Sequence, residues 1–84
     1  MNAVKLIDIG FGNTVNSDRI VAVISAEAAP SKRIVSAAKE RNEAIDATCG
    51  KRTKAVIVMD SGHVVMSAKS VESISGKAAD DEQE

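Results

Sequence analysis

The sequence predicts a small, single-domain α+β fold with elements in the order β-β-α-β-β-α. The sheet is expected to be mainly antiparallel, with one main helix packed on it. Three observations lead there. Short β-branched runs bounded by Gly or Asp recur along the chain. One stretch, residues 30–42, spaces its apolar residues as a helix does. The chain has 84 residues, enough for one domain.

The elements follow in order. Residues 4–9, "VKLIDI", alternate, with Val4, Leu6 and Ile9 on the expected buried face and Ile7 off the pattern. "GFGN" (10–13) interrupts them with a turn or bulge. "RIVAVIS" (19–25) is β-branched and reads as a second strand. Pro30 suits the first turn of a helix, where its missing N–H costs nothing. Ile34, Ala37, Ala38 and Arg41 then follow on one side of a helix over about 30–42, with Lys32, Ser36, Lys39 and Glu43 opposite. "IDA" (45–47) reads as a short extended segment and "TCGKRTK" as a loop. "AVIVM" (55–59) is an unbroken apolar strand, "DSG" a turn and "HVVMSA" (63–68) its hairpin partner. Ser70 can cap a short last helix. The domain is expected to occupy residues 1–76, with an acidic, disordered tail over 77–84.

Composition bounds the stability of this unit. A short chain buries a small share of its surface. With one Phe and neither Trp nor Tyr, the core must come from aliphatic residues. A single Cys and a single His rule out an intrachain disulfide and a complete His/Cys zinc site, which leaves oligomerisation as the expected support. A lone Cys fits a reducing cytoplasmic setting. Neither a signal peptide nor a membrane span is expected.

The formal net charge of −1 hides an asymmetry. Four acids (Asp80, Asp81, Glu82, Glu84) crowd the last five positions, and residues 1–79 hold 11 cations against 8 acids. From Arg19 to Lys54 there are eight cations and four acids. A basic body suits a polyanionic partner, although a solvated charged surface has the same composition.

Tests for catalytic chemistry return little. "GFGN" lacks the third glycine of a dinucleotide loop, Val15 standing in its place. "CGKRT" has Arg52 where a phosphate loop needs Ser or Thr. Cys49 has no nearby base, His63 being beyond a full strand, and reads as a small, partly buried residue. Asp8, Asp46 and Asp60 could meet at strand ends around a metal, but turn aspartates commonly bond local backbone instead. No enzyme activity, cofactor, metal or small-molecule substrate is therefore expected.

The loop before "AVIVM" is different. Lys51, Arg52 and Lys54 sit within four positions at the mouth of a buried strand, and Arg19 stands before another. Arg offers a planar fork to phosphates or guanine edges, and Lys a point charge. If the two groups share one edge of the sheet they form a single patch. A charged, solvated rim is the alternative.

These segments, "IDIGFGN", "RIVAVIS", "SAEAAPSKRIVSAAKERN" and "IDATCGKRTKAVIVMDSGHVVMSA", together resemble the bacterial extracellular matrix regulatory protein RemA family over about residues 4–75. The resemblance implies a cytoplasmic, nucleoid-associated transcription regulator that activates biofilm matrix operons. It implies a ring-type homo-oligomer, heptamer-like, that binds double-stranded DNA. Arg19, Lys51 and Arg52 match the family's DNA-contacting positions, and Lys54 extends that group. Pro30 matches a position where substitution impairs the protein; with Lys32 and Arg33 it is a further candidate for DNA or subunit contact. Lys51 and Lys54 stand where the family often has Arg, and Cys49 where it often has Tyr. A second reading, from another class, is an oligomeric structural or protein-interaction module whose basic rim meets an acidic partner.

Overall fold

The computed structural model describes residues 5–82. Two short strands, β1 (Leu6–Gly10) and β2 (Asn13–Asn16), form a hairpin and lead into a single 3-10 turn at Ser17–Arg19. β3 (Ile20–Ser25) follows, then helix α1 (Ala29–Glu40), β4 (Ala44–Asp46), β5 (Ala55–Met59), β6 (Val64–Ser67) and helix α2 (Val71–Glu82). The four later strands make one sheet in the order β3-β5-β6-β4, antiparallel except for the β4–β6 pair. The fold is thus a small mixed α/β domain with the expected order, plus short strands at β2 and β4.

β5 explains its own sequence. It lies inside the sheet, and both of its faces are covered, so five apolar residues in a row are needed. Ala55 and Ile57 face a core shared with Ile7, Ile9, Val15, Val65 and Ile74, contributed by the hairpin, β6 and α2. Val56 faces a second core with Val64 and Ala38, where α1 supplies Ile34 and Val35. The sheet is therefore the middle of three layers, with α1 on one side and the hairpin and α2 on the other.

Several expectations are corrected. In β1 the buried residues are Ile7 and Ile9, while Leu6 is 61 % exposed. The segment admits two alternation phases, and Asp8 between two isoleucines marks the one that is used. Val4 lies outside the described residues. In β3 the pairing slips between Ile20 and Ala22, leaving Val21 bulged and exposed. The slip lets both Ile20 and Val23 pack on the hairpin-side core.

Helix α1 enters and leaves by local rules. Pro30 is in its first turn, and the buried Ser31 hydroxyl donates to the Ser25 carbonyl at 2.5 Å, tying the helix to β3. At the other end Asn42 adopts φ +59, the Glu43 N–H donates to Ala38 O at 2.8 Å and the Asn42 N–H to Lys39 O at 3.1 Å. That is the paired closure of a Schellman end, with Asn in the left-handed position usually given to Gly.

Helix α2 is capped by Ser70, whose hydroxyl accepts from Ser73 N–H at 3.1 Å, and is anchored by buried Ile74. Its helical backbone spans Val71–Glu82. Once the first turns are fixed, extending the helix is cheap, and the sequence that follows holds the strong helix formers Ala78 and Ala79. Gln83 and Glu84 lie outside the described residues.

Candidate nucleic-acid interface

The basic loop is pinned rather than trailing. At its start Thr48 donates to Asp46 Oδ1 from its hydroxyl at 2.6 Å and from its backbone at 2.9 Å. Thr48 is itself buried. The Lys51 N–H then donates to Thr48 O at 2.9 Å, closing a tight turn whose central residues, Cys49 and Gly50, have φ +55 and +81. At its end Lys54 joins the sheet from both sides: its N–H donates to Ser67 O at 2.8 Å, and its carbonyl accepts from Ala26 N–H at 3.1 Å. Lys51, Arg52 and Lys54 stay exposed on this braced backbone. Cys49, read as partly buried, is exposed at the turn, because a left-handed residue at a two-residue tip points away from the sheet.

The side-chain hydrogen bond from Thr48, followed by the backbone one, holds the Asp46 carboxyl below the usual carboxylate range. A lowered value means that the charged form is favoured by folding. This contribution is complete above the ordinary aspartate value of about 3.9 and is lost as pH falls through the lowered one. Asp46→Asn should therefore lower the melting temperature at neutral pH and flatten its acid limb below about pH 4. An acid limb identical to wild type in a thermal-melt pH series would show that this carboxylate does not brace the loop.

Arg52 reaches across to Glu27, just past β3, at 3.2 Å, and both side chains are largely exposed. Lys32, early in α1, borders a shallow cleft with Thr53, so α1 brings a further cation to this end of the sheet. Arg33 is exposed on the same first turns, and the first turn of α1 carries no acidic residue. An unopposed helix start adds positive potential of its own.

Arg19 is elsewhere. It precedes β3, and its guanidinium pairs with Asp60, just past β5, at 3.1 Å. β3 and β5 run antiparallel, with Ile20 beside Met59 and Ser25 beside Ala55. Arg19 and Arg52 therefore sit at opposite ends of the pair, separated by the length of β5, roughly 17 Å. The expected single patch within one chain is not formed. At the Arg19 end Arg41 donates to Glu43 at 2.8 Å, and this hydrogen bond holds the Glu43 carboxyl below its ordinary value.

The three aspartates weighed as metal ligands do separate work. Asp8 accepts from Gly10 N–H at 2.8 Å, Asp46 from Thr48, and Asp60 pairs with Arg19. Among the described residues no group of three His, Cys, Asp or Glu side chains is placed to hold a metal ion. Nor, among them, is any helix long and apolar enough to cross a membrane.

Comparison with known proteins places these features in a family. The model of RemA-like proteins, described as extracellular matrix regulatory protein A-like, matches residues 6–77. A protein of Dictyoglomus turgidum named "Putative regulatory protein" is 60 % identical over 73 residues, covering 87 % of this chain and 86 % of its own. A relative of the same designation from Brevibacillus brevis is 50 % identical over 84 residues and 98 % of both chains. One from Synechococcus elongatus is 51 % identical over 75 residues, 89 % of this chain and 86 % of its own. The family match runs from the first strand into the last helix and so takes in both cores and the basic loop: the chain belongs to the RemA-like family of regulatory proteins.

Proposed function

We propose that the protein is a DNA-binding transcriptional regulator that works as a ring-shaped homo-oligomer, of the kind that activates biofilm matrix operons. The observation that carries this reading is the loop of Lys51, Arg52 and Lys54. Its backbone is tied to the sheet at both ends while its three cations stay in solvent. A braced cation is aimed, and so costs less ordering when it meets a phosphate. Membership of the RemA-like family supports the regulatory class. One chain offers few cations to a duplex, and each neutralised phosphate adds a modest, salt-screened increment. A ring repeats the patch, and weak contacts then sum.

Titration of the wild-type protein into mixed-sequence duplex DNA at about 50 and 200 mM salt tests the reading. Binding is expected at both, weaker at the higher concentration, with a log–log salt slope of several units. Absence of binding at the lower salt would overturn it.

A further inference from the structure

Arg19 and Arg52 are placed by one rule of antiparallel pairing. Each comes shortly before a strand, β3 or β5, and an acid comes shortly after each strand, Glu27 after β3 and Asp60 after β5. An antiparallel pair sets the start of one strand beside the end of the other. The β3–β5 pair therefore carries an Arg–carboxylate pair at either end, Arg19 with Asp60 and Arg52 with Glu27. Both carboxylates stand on tied backbone. The Asp60 N–H donates to the Arg19 carbonyl at 2.8 Å, and the Glu27 N–H to the Ser25 hydroxyl at 3.2 Å.

The two pairs are incomplete in the same way. Arg19 donates to Asp60 Oδ2 through Nη1 alone, at 3.1 Å, and Arg52 to Glu27 Oε2 through Nη2 alone, at 3.2 Å. Among the described residues the rest of each guanidinium and the second oxygen of each carboxylate have no protein partner. Arg41 is the contrast. Its Nε donates to Glu43 and its Nη2 to the Gly62 carbonyl, so its fork is spent within the protein. Lys51 and Lys54 differ again: among the described residues no carboxylate pairs with either.

These differences sort the cations by what they can hold. A bare cation is drawn to the phosphates, where the charge of a duplex is concentrated. A carboxylate beside an Arg cancels much of that attraction and repels phosphate oxygens at close range. It leaves the directional N–H donors, which uncharged acceptors can still take. In the major groove guanine offers two acceptors, O6 and N7, to one fork, and its partner cytosine offers an amino group that Glu or Asp can accept from. Adenine offers only one acceptor there, beside a donor. An Arg held at one nitrogen, with a spare carboxylate oxygen next to it, therefore matches both halves of a G·C pair.

We propose that Glu27 and Asp60 are specificity-determining positioning residues, which hold Arg52 and Arg19 off the phosphates and turn them to G·C base edges while Lys51 and Lys54 take the phosphates. The inference rests on the DNA-binding reading above and adds to it the base pair that is read.

The test starts with wild-type protein enriching a sequence from a pool of random duplexes at moderate salt. That duplex is compared by anisotropy with a copy carrying 7-deazaguanine, which loses the N7 acceptor and keeps its pairing. Wild type is expected to bind the copy roughly 10-fold more weakly. Glu27→Gln and Asp60→Asn remove charge at nearly constant shape, and exposed pairs add little to stability, so both should melt as wild type does. Each should bind unselected duplex more tightly, with a log–log salt slope steeper by about 0.9 for each phosphate newly neutralised. Each should also lose most of the discrimination against the deaza copy. Asp18→Asn removes an exposed acid next to Arg19 that, among the described residues, pairs with no Arg, and it should keep that discrimination. Equal binding of the two duplexes by wild type overturns the proposal and leaves the DNA reading standing. So does full discrimination in Glu27→Gln and Asp60→Asn, weaker binding of unselected duplex by them, or an equal loss of discrimination in Asp18→Asn. Wild type that binds no duplex sinks the DNA reading, and this inference with it.

Discussion

Arg19→Ala and Arg52→Ala should each weaken binding to duplex DNA by at least about 10-fold at moderate salt, because the proposed ring would repeat each lost contact along the duplex. Neither change should unfold the protein. Both guanidiniums are largely exposed, and their partners, Asp60 and Glu27, are free to return to water. Removing either Arg also leaves its own carboxylate partner, Asp60 or Glu27, without that cation, which adds local repulsion to the lost attraction. Lys54→Ala should act more mildly, since Lys gives a point charge and its backbone role in the sheet survives substitution. Arg52→Lys separates charge from shape. It keeps the cation and removes the fork, so specific binding should fall more than non-specific binding. Anisotropy titrations at two salt concentrations, with circular-dichroism melts as the control on folding, measure all four variants. Wild-type affinity in both alanine variants would reduce the cations to a solvated rim.

Ile57→Ala should cost about 2–5 kcal/mol, a large share of the ~5–15 kcal/mol that holds a domain together. Ile57 is completely buried at the centre of the sheet, against the hairpin, β6 and α2. Three elements converge on one side chain, and none can close the cavity without breaking its own hydrogen bonds. Val56→Ala, on the opposite face of the same strand, should cost less, because fewer atoms are removed and only α1 has to adjust. Urea unfolding at fixed protein concentration should show the midpoint falling with little change in slope. A loss below about 1 kcal/mol for Ile57→Ala would mean that the two layers meet elsewhere.

Much of this architecture is legible in the residues. "AVIVM" announces a strand covered on both faces, Pro30 and the Ile34–Ala38 spacing announce α1, and Ser70 announces the start of α2. The parts that escape do so for physical reasons. β2, "NTVN", buries one apolar residue and is held mainly by backbone pairing, so it leaves no periodic trace. β4, Ala44–Asp46, overlaps the short extended segment read at 45–47, and only its parallel pairing with β6 is hidden. The bulge at Val21 breaks an alternation that looks continuous. The four cations of the candidate site are all legible, but their arrangement is not. Two residues that each precede a strand share an edge only if those strands run parallel, and β3 and β5 do not.

The hydrogen bond from Ser67 to the Ile9 carbonyl has a consequence for the order of synthesis. It joins residues 58 positions apart, and the core that covers Ile7 and Ile9 also needs Ile74. β1 can therefore pair with β2 as soon as the hairpin is made, but the cover over its isoleucines is completed only after β6 and α2. At roughly 5–20 residues per second, its isoleucines wait on the order of several seconds before the native cover exists. Asp8 between them, and glycines immediately after, keep that waiting segment polar and interrupted, a poor template for pairing with other nascent chains.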